Sequence, residues 1–259
     1  MPKTSDSEAG QIRAVDRVIG ILTLIAEHQE MTLTEVVRAS GLSEATVFRY
    51  LGALVGHGWL VRHPSGSYSL GIAAFHVGQR AVANLDVRRL ARPVMEDLRE
   101  EYGETVNLAV RQADAIIVVD CLESPSQIRR GASIGEQDQW FSSGLGKSIL
   151  ACLSEPDILR LYGEHELVAL TERTLTTLPE LLADIRKVRT RGYSVDNEES
   201  EIGLMCVASA IHDRHGEPRY AVSVSGPAER IRLALKRGLG DGVVKAARIV
   251  SEGLGWCHF

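Results

Sequence analysis

The sequence predicts an α+β protein with a small helical N-terminal domain that ends in a β-hairpin, a helical linker, and a larger C-terminal domain built on a mainly antiparallel sheet. The chain has 259 residues, of which 44% are hydrophobic, and this is enough for two ordinary domains. Apolar residues recur at helical spacing before Gly56, and a turn that contains Pro64 and Gly66 follows them. From Thr105 onward, short apolar runs typical of strands appear between helical segments.

The first predicted helix lies in IRAVDRVIGILTLIAEH and ends near Gln29. Its apolar stripe consists of Ile12, Val15, Val18, Ile19, Leu22 and Ile25. Thr32 then occupies the position of an N-cap, and Glu35 follows three residues later, which is the pattern of a capping box. We therefore expect a second helix that is capped by Thr32 and ended by Gly41.

A third helix is predicted to follow a cap at Ser43 and to end at Gly56. Its buried stripe consists of Val47, Leu51, Leu54 and Val55. The segments WLVRH and SYSLG then lie on either side of Pro64, Ser65 and Gly66, as two strands around a tight turn. Three helices with a short Gly-containing turn before the third, followed by a hairpin, form a winged helix-turn-helix domain, which we assign to residues 1–71.

The polar side of the third helix predicts an interface with double-stranded DNA. Hydroxyls and amides near its N-terminus suit phosphates, and Arg49 suits a guanine edge or the backbone in the major groove. Polar side chains beside the hairpin turn suit a phosphate or the minor groove. The candidate DNA-binding residues are Thr32, Ser43, Glu44, Thr46, Arg49, Tyr50, Arg62 and His63.

The net charge of the N-terminal residues does not support DNA binding. Residues 1–85 carry equal numbers of basic and acidic side chains, so the formal charge of −5 falls on residues 86–259. A trihelical core with a hairpin also occurs in domains that bind only protein. A ligand-sensing protein that acts through protein contacts without binding DNA is therefore the alternative.

Residues 72–85 are predicted to form a linker helix, and residues 86–259 a mixed α/β domain. The helix that opens this domain has Leu90, Val94, Leu98 and Tyr102 on its core side and a kink or restart at Pro93. Strands are predicted in TVNLAV, AIIVVDCLES, QIRRGASIGE, GLMCVASAIHD and PRYAVSVSG. Helices are predicted in SSGLGKSILACL, in LPELLADIRKVRTRG and from Glu229 to Gly253.

Several classes of protein are excluded by the sequence. The four cysteines form no C-x-x-C pair, so a zinc or disulfide framework is not expected. No apolar run approaches the roughly 20 residues of a membrane span, and no apolar signal region follows Lys3, so we expect a cytoplasmic protein without membrane contacts. GLGKS lacks the first glycine of a phosphate-binding loop, because that position is Phe141.

Catalysis by a cysteine is also not expected. Cys206 and His212 are close in sequence, but Cys206 lies inside an apolar strand pattern and not at a turn or helix N-terminus that would activate a thiol. We therefore predict that the protein is not an enzyme, and that it needs no metal and no cofactor.

Five segments resemble the IclR family of bacterial transcriptional regulators, in order and spacing, over nearly the whole chain. They are the winged-helix start, the hairpin that ends in YSLG, the helix start GLGKSILA, the segment RGYSVDNEESEIGLMCVASAI and the late SVSGP. The resemblance implies that the N-terminal domain binds operator DNA as a dimer, that the C-terminal domain is similar to a GAF fold and binds a small effector, and that four chains assemble in some members. We therefore expect a homodimer or homotetramer.

The resemblance also implies the positions of an effector pocket. The residues that match the family pattern are Gly144, Leu145, Asp196, Cys206, Ser223 and Ser225. Amides at a helix N-terminus suit an anion, and two serines at i and i+2 of a strand point to one face, so we expect an organic acid as effector. Where many members have His-Ala or Thr-Ala before the GK helix, this chain has Phe141 to Gly144, and Trp140 beside them predicts contact with an aromatic effector.

Overall fold

The computed structural model describes residues 5–83, 86–112, 115–131, 134–162 and 167–256, with the backbone alone for residues 5–12, 79–83 and 86. The chain divides into two compact units, Met1–Asn84 and Leu85–Phe259. Each unit has a hydrophobic core of its own. No described helix combines the length and the apolar character that a membrane span requires.

The described residues of the N-terminal unit form four helices and a small antiparallel sheet in the order β1-β3-β2. In chain order its elements are α1 (Ser5–His28), β1 (Met31–Thr32), α2 (Leu33–Ser40), α3 (Glu44–Gly56), β2 (Leu60–Arg62), β3 (Ser67–Leu70) and α4 (Ile72–Ala83). The capping box of Thr32 and Glu35 is confirmed. Gly41 ends α2 with φ 66°, a left-handed conformation that favours glycine. These features produce the predicted arrangement of helices and hairpin.

The stripe predicted for α1 is wrong in part. Val15 and Ile19 are 57% and 55% exposed, whereas Ile21 and Ile25 are fully buried against α2 and α3 residues of the core. The side chain of Ile12 lies outside the described residues. The predicted and observed burial differ because α1 has two apolar faces. One face packs on the domain core, and the other is uncovered in the single chain.

The C-terminal unit has a six-stranded sheet in the order β6-β5-β4-β9-β8-β7, with every neighbouring pair antiparallel. Its elements are α5 (Asp86–Tyr102), β4 (Thr105–Gln112), β5 (Ala115–Leu122), β6 (Gln137–Asp138), α6 (Gly144–Leu150), α7 (Glu155–Tyr162), α8 (Leu178–Arg191), β7 (Ser194–Asn197), β8 (Leu204–His212), β9 (Pro218–Pro227), α9 (Ala228–Lys236) and α10 (Leu239–Gly253). Helices α6 and α8 pack on one face of the sheet, and α5 and α10 pack on the other.

Three expectations for this unit need correction. The described part of QIRRGASIGE is not a strand, and the two-residue strand β6 follows the segment. Ion pairs from Arg129 to Glu123 and from Arg130 to Glu136 hold this loop. Glu229–Gly253 is two helices, because Gly238 at φ 94° separates α9 from α10. Pro93 lies inside α5, so the helix does not restart there.

Candidate ligand cavity and nucleic-acid interface

The register of the C-terminal sheet brings the predicted pocket residues into two neighbouring rows. Asp196 on β7 lies opposite Cys206 on β8, and Cys206 lies opposite Ser225 on β9. In the next row, Ser223 on β9 lies opposite Asn107 on β4. Because side chains at i and i+2 of a strand share a face, both rows point to the same side of the sheet.

Helix α6 closes the other side of these rows. Ser143 caps the helix, and its hydroxyl accepts a hydrogen bond from the Gly146 amide at 3.0 Å. The Ser194 hydroxyl donates to the Gly144 carbonyl at 2.6 Å and so ties the helix start to β7. A Cβ on Gly144 would lie 2.8 Å from the sulfur of Cys206, so only glycine fits at this close approach of helix and strand.

A cavity of about 140 Å³ lies between α6 and the sheet. Six of the seven predicted effector residues line it, namely Gly144, Leu145, Asp196, Cys206, Ser223 and Ser225. The seventh, Trp140, does not. Its ring is buried in the hydrophobic core of the unit, with the Arg111 guanidinium 5.5 Å from the ring centre. The expected contact of Trp140 with an aromatic ligand is therefore not supported by this geometry.

Two buried polar atoms at the cavity have no hydrogen-bond partner among the described residues. They are the Asn107 side-chain oxygen and the Ser223 hydroxyl, which has only the weakly hydrogen-bonding Cys206 thiol beside it. The Asn107 amide nitrogen donates to the Ser225 hydroxyl at 3.1 Å, which fixes the orientation of this amide. Because leaving a buried polar group unpaired costs about 1–3 kcal/mol, the cavity is suited to a polar occupant.

The charged residues that line the cavity are Arg130, Asp138, Asp196 and Glu201, of which only Asp196 was predicted. Arg130 Nη2 lies 3.8 Å from Asp138 Oδ1 and 3.1 Å from Glu136 Oε1. Burial raises the pKa of the Asp138 carboxyl to about 6. Burial also raises the pKa of Asp196, which accepts hydrogen bonds from the Glu199 and Ser200 amides.

The cavity holds no activated nucleophile. Burial, followed by the charge of Asp196, raises the pKa of the Cys206 thiol to about 12, so the thiol stays protonated at neutral pH. His212 lies at the far end of β8 and lines a different cavity from Cys206. A cysteine–histidine pair for catalysis is therefore not formed.

Lys147 is a residue whose role sequence reasoning missed. Its side chain is completely buried on α6, and its ammonium donates to Asp184 Oδ2 at 2.9 Å, to the Val195 carbonyl at 2.7 Å and to Glu199 Oε1 at 2.6 Å. The lysine thus joins α6 and α8 to β7, the strand that carries Asp196. A lysine inside an otherwise apolar helix start was the signal available in the sequence.

Asn107, Arg130 and Asp138 were also missed. Asn107 interrupts the apolar strand TVNLAV, and a polar residue there is unusual unless it is paired or contacts a ligand. Arg130 and Asp138 come from a loop and a two-residue strand, so no periodic pattern marks them.

Some of the predicted DNA-binding residues are exposed, and others are half-buried or hydrogen-bonded within the unit. Ser43, Glu44, Arg49 and Arg62 are exposed, whereas Thr46 and Tyr50 are half-buried on one flank of α3. Ser43 precedes α3, but its hydroxyl pairs with that of Thr46 at 2.8 Å and makes no side-chain cap of the helix.

Two further candidates have partners within the N-terminal unit. The Thr32 hydroxyl donates to Glu35 at 2.8 Å within the capping box. His63 Nε2 lies 2.8 Å from the Ser69 hydroxyl across the hairpin. The exposed residues of α3 are Glu44, Ala45, Phe48, Arg49, Gly52, Ala53 and Gly56, of which Glu44 and Arg49 were predicted.

The chain was compared with models of known protein families, and one family model matches in each of the two units. Residues 14–64 match the "IclR helix-turn-helix domain", and residues 79–252 match "Bacterial transcriptional regulator IclR C-terminal". The match of the first range to a DNA-binding family favours DNA binding over the alternative of protein contacts alone.

Three curated relatives are similar along almost the whole chain. The transcriptional regulator BhcR of Paracoccus denitrificans is 35% identical over 95% of this chain and 89% of its own length. The acetate operon repressor of Salmonella typhimurium is 36% identical over 97% and 93%. The transcriptional repressor IclR of Escherichia coli is 36% identical over 95% and 91%.

Solved structures show the same fold. The IclR structure from Thermotoga maritima covers 95% of this chain and 100% of its own, with a TM-score of 0.72 and 28% identity. A transcriptional regulator from Rhodococcus covers 93% and 98%, with a TM-score of 0.80 and 26% identity. The chain therefore belongs to the IclR family of bacterial transcriptional regulators, which bind DNA through a helix-turn-helix domain and are not enzymes.

Proposed function

We propose that this regulator binds operator DNA through residues 1–71 as a homodimer or homotetramer in the cytoplasm, and that a small organic acid bound by residues 86–259 controls its operator affinity. Residues 72–85 link the two activities in this proposal. The observation that carries it is the pair of unpartnered buried polar atoms, on Asn107 and Ser223, at a cavity that also contains amides of a helix N-terminus.

The size and lining of the cavity favour a small aliphatic acid. A cavity of about 140 Å³ is near the roughly 150 Å³ that holds a benzene-sized molecule. The lining is rich in hydrogen-bonding groups, and Trp140 is not part of it. One relative is named as the repressor of an acetate operon, and an acid of two to about four carbons would fit this volume.

Each end of such an acid has complementary groups in the cavity. The carboxylate would accept hydrogen bonds from the Ser223 and Ser225 hydroxyls and from the amides of Gly144 and Leu145, which precede the first amide bonded by the Ser143 cap. The Asp196 carboxylate would accept a hydrogen bond from a hydroxyl on the ligand, and Cys206 would supply a small apolar wall.

On the N-terminal unit, Arg49 is the side chain best placed to contact DNA. It is exposed at the outward face of α3, and its guanidinium lies 5.5 Å from the ring centre of Tyr50. Arg62 is exposed on β2 of the wing. In this proposal Arg49 binds in the major groove and Arg62 contacts the phosphates beside it.

Assembly is proposed from apolar surface on the same unit. Val15 and Ile19 on α1 and Ile72, Phe75 and Val77 on α4 are each more than half exposed in the single chain. A second copy would cover these faces, and two recognition helices would then read the two halves of a palindromic operator.

A screen of small organic acids by thermal shift, followed by calorimetry with the best ligand, tests the effector site. Replacing both Ser223 and Ser225 by Ala removes two hydrogen bonds to a charged group, each worth about 1.5–3 kcal/mol, so affinity should fall at least about 100-fold. The matched control is Ser209→Ala, a buried serine of the same sheet that lies outside the cavity. Equal ligand affinity in the double variant and the wild type would place the site elsewhere.

A further inference from the structure

The outward face of α3 has an unusual composition for a helix that meets DNA. Ala45, Phe48, Arg49 and Gly52 are exposed and follow the spacing i, i+3, i+4 and i+7 of a single helix face. Val47, Leu51 and Leu54 on the opposite face are buried in the core. On this face Arg49 is the one charged residue, and Ala45, Phe48 and Gly52 have no hydrogen-bonding side chain. The other exposed residues of α3 are Glu44, Ala53 and Gly56.

Phe48 has no role in the core that would explain its presence. The ring is 59% exposed and lies outside the set of residues that make up the N-terminal core. Single exposed apolar residues are common on proteins, so exposure alone decides nothing. Its position is the informative feature, because Phe48 is next to Arg49 on the face of the helix that points away from the domain.

Gly52 gives a second and independent observation. It lies inside α3, where glycine is destabilising relative to alanine because of its backbone entropy. A Cβ at this position would meet no described atom within 4 Å, so nothing within the unit requires glycine there. A glycine in an open helix position is explained when another molecule must approach the backbone closely.

We propose that Phe48 contacts the C5-methyl group of a thymine in the major groove of the operator, and that Gly52 allows α3 to approach the bases closely enough for this contact. The inference rests on the proposed operator binding and adds a base preference to it. Apolar side chains distinguish thymine through this methyl group, which no other base of the major groove presents. Arg49, on the same face, would then contact a neighbouring guanine or phosphate.

The test uses deoxyuridine, which keeps the hydrogen-bonding groups of thymine and lacks the methyl group. A specific duplex is first selected from a random pool with the full-length wild type, and each thymine is then replaced in turn by deoxyuridine. We expect the wild type to lose about fourfold in affinity at one thymine of each half-site, since a buried methyl group is worth about 0.8 kcal/mol. The Phe48→Ala variant should bind the two duplexes equally at that thymine and still respond to changes at other bases.

Leu233→Ala is the matched control, because this side chain is also 59% exposed but lies in the C-terminal unit. It should keep the wild-type loss at the same thymine. A wild type that is insensitive to every deoxyuridine, or a Phe48→Ala variant with the wild-type sensitivity, would overturn the contact. Failure of the wild type to select any duplex would instead overturn operator binding itself.

Gly52→Ala separates contact with DNA from stability of the fold. The variant should raise the melting temperature, because alanine is the better helix former and has room. It should also weaken binding to the selected duplex at least several-fold if the backbone approaches the bases. An equal or higher affinity together with the raised melting temperature would refute close approach at this residue.

Discussion

The carboxylates of Asp138 and Asp196 line one small cavity together with the guanidinium of Arg130. Burial raises the pKa of Asp138 to about 6, Arg130 acts against this shift, and the charges of Glu136 and Asp196 add to it. Arg130 is already paired with Glu136 at 3.1 Å, so its charge is shared between two acids. An anionic ligand therefore meets less repulsion when Asp138 carries a proton.

This arrangement predicts that binding of an organic acid depends on pH. Because the carboxyl is protonated below about pH 6, the affinity of the wild type should fall as pH rises from 5 to 8, by up to about tenfold per unit if one proton is taken up. Asp138→Asn should bind more tightly at pH 7.5 and show little change over this range. Calorimetry at several pH values measures both.

Glu201→Gln is the control for this prediction, because Glu201 lines the same cavity but is exposed. The ligand affinity of this variant should depend on pH as steeply as that of the wild type. A wild-type affinity that does not change between pH 5 and 8 would contradict proton uptake by Asp138.

A residue of the cavity could be predicted when it belongs to a sequence segment that resembles the family. Gly144, Leu145, Asp196, Cys206, Ser223 and Ser225 were placed by the resemblance of their segments to a family, and all six line one cavity. Asn107 was accessible in principle as the polar residue of an apolar strand. Arg130 and Asp138 were not, because their position depends on a loop that packs through ion pairs and not through a periodic apolar face.

Helix α6 depends on a buried charge for its connection to its neighbours. Lys147 is fully buried and pairs with Asp184 and Glu199, whose side chains are also largely buried. Lys147→Met would leave both acids without their cation, and removing one partner from a buried pair costs about 3–5 kcal/mol. The free energy of unfolding, measured by chemical denaturation, should fall by that amount.

Lys187→Met is the matched control, because Lys187 lies on α8 and is exposed. It should change the free energy of unfolding by less than about 0.5 kcal/mol. Equal stability of the two variants would show that the network around Lys147 does not stabilise the fold.

Helices α1 and α4 supply the apolar surface that we assign to a partner chain. Ile19→Glu and Phe75→Glu place a charge on surface that is 55% and 57% exposed in the single chain. Both should fold and should convert the assembly to monomers in light scattering. Operator affinity should fall with them, because a monomer contacts only one half-site.

Arg17→Gln is the control for these variants, since Arg17 is exposed on α1 and, by helical spacing, lies on the side opposite Val15 and Ile19. It should remain assembled. A variant with glutamate at residue 75 that kept the mass of the wild-type assembly would show that α4 does not take part in the interface.

The helices and strands whose apolar residues recur with a clear period were predicted well. Those that depend on tertiary contacts were not. The capping box of α2, the stripe of α3 and the alternation of β4, β8 and β9 were all present in the sequence. Strand β7 and helix α7 were missed because each is short, and the break between α9 and α10 depends on the single left-handed glycine Gly238. Val15 and Ile19 were assigned to the core because an apolar helix face looks the same whether its own domain or a partner chain covers it.

Control of transcription by this protein requires that the two units be coupled in free energy. The cavity lies in Leu85–Phe259 and the recognition helix in Met1–Asn84. An effector changes operator affinity only by binding the DNA-competent and incompetent states unequally, and the operator must then change effector affinity by the same factor. Loss of the serine hydroxyls should remove the effector response and leave binding of DNA without effector intact.

The most direct measurement is fluorescence anisotropy of the selected duplex with the full-length protein, with and without a saturating concentration of the acid identified by thermal shift. The wild type should show a change in operator Kd of about 5- to 150-fold, the usual range for coupled sites. The variant with both Ser223 and Ser225 replaced by Ala should bind the duplex with the effector-free affinity of the wild type under both conditions. An operator Kd that the acid leaves unchanged in the wild type would contradict a sensor whose cavity controls binding to DNA.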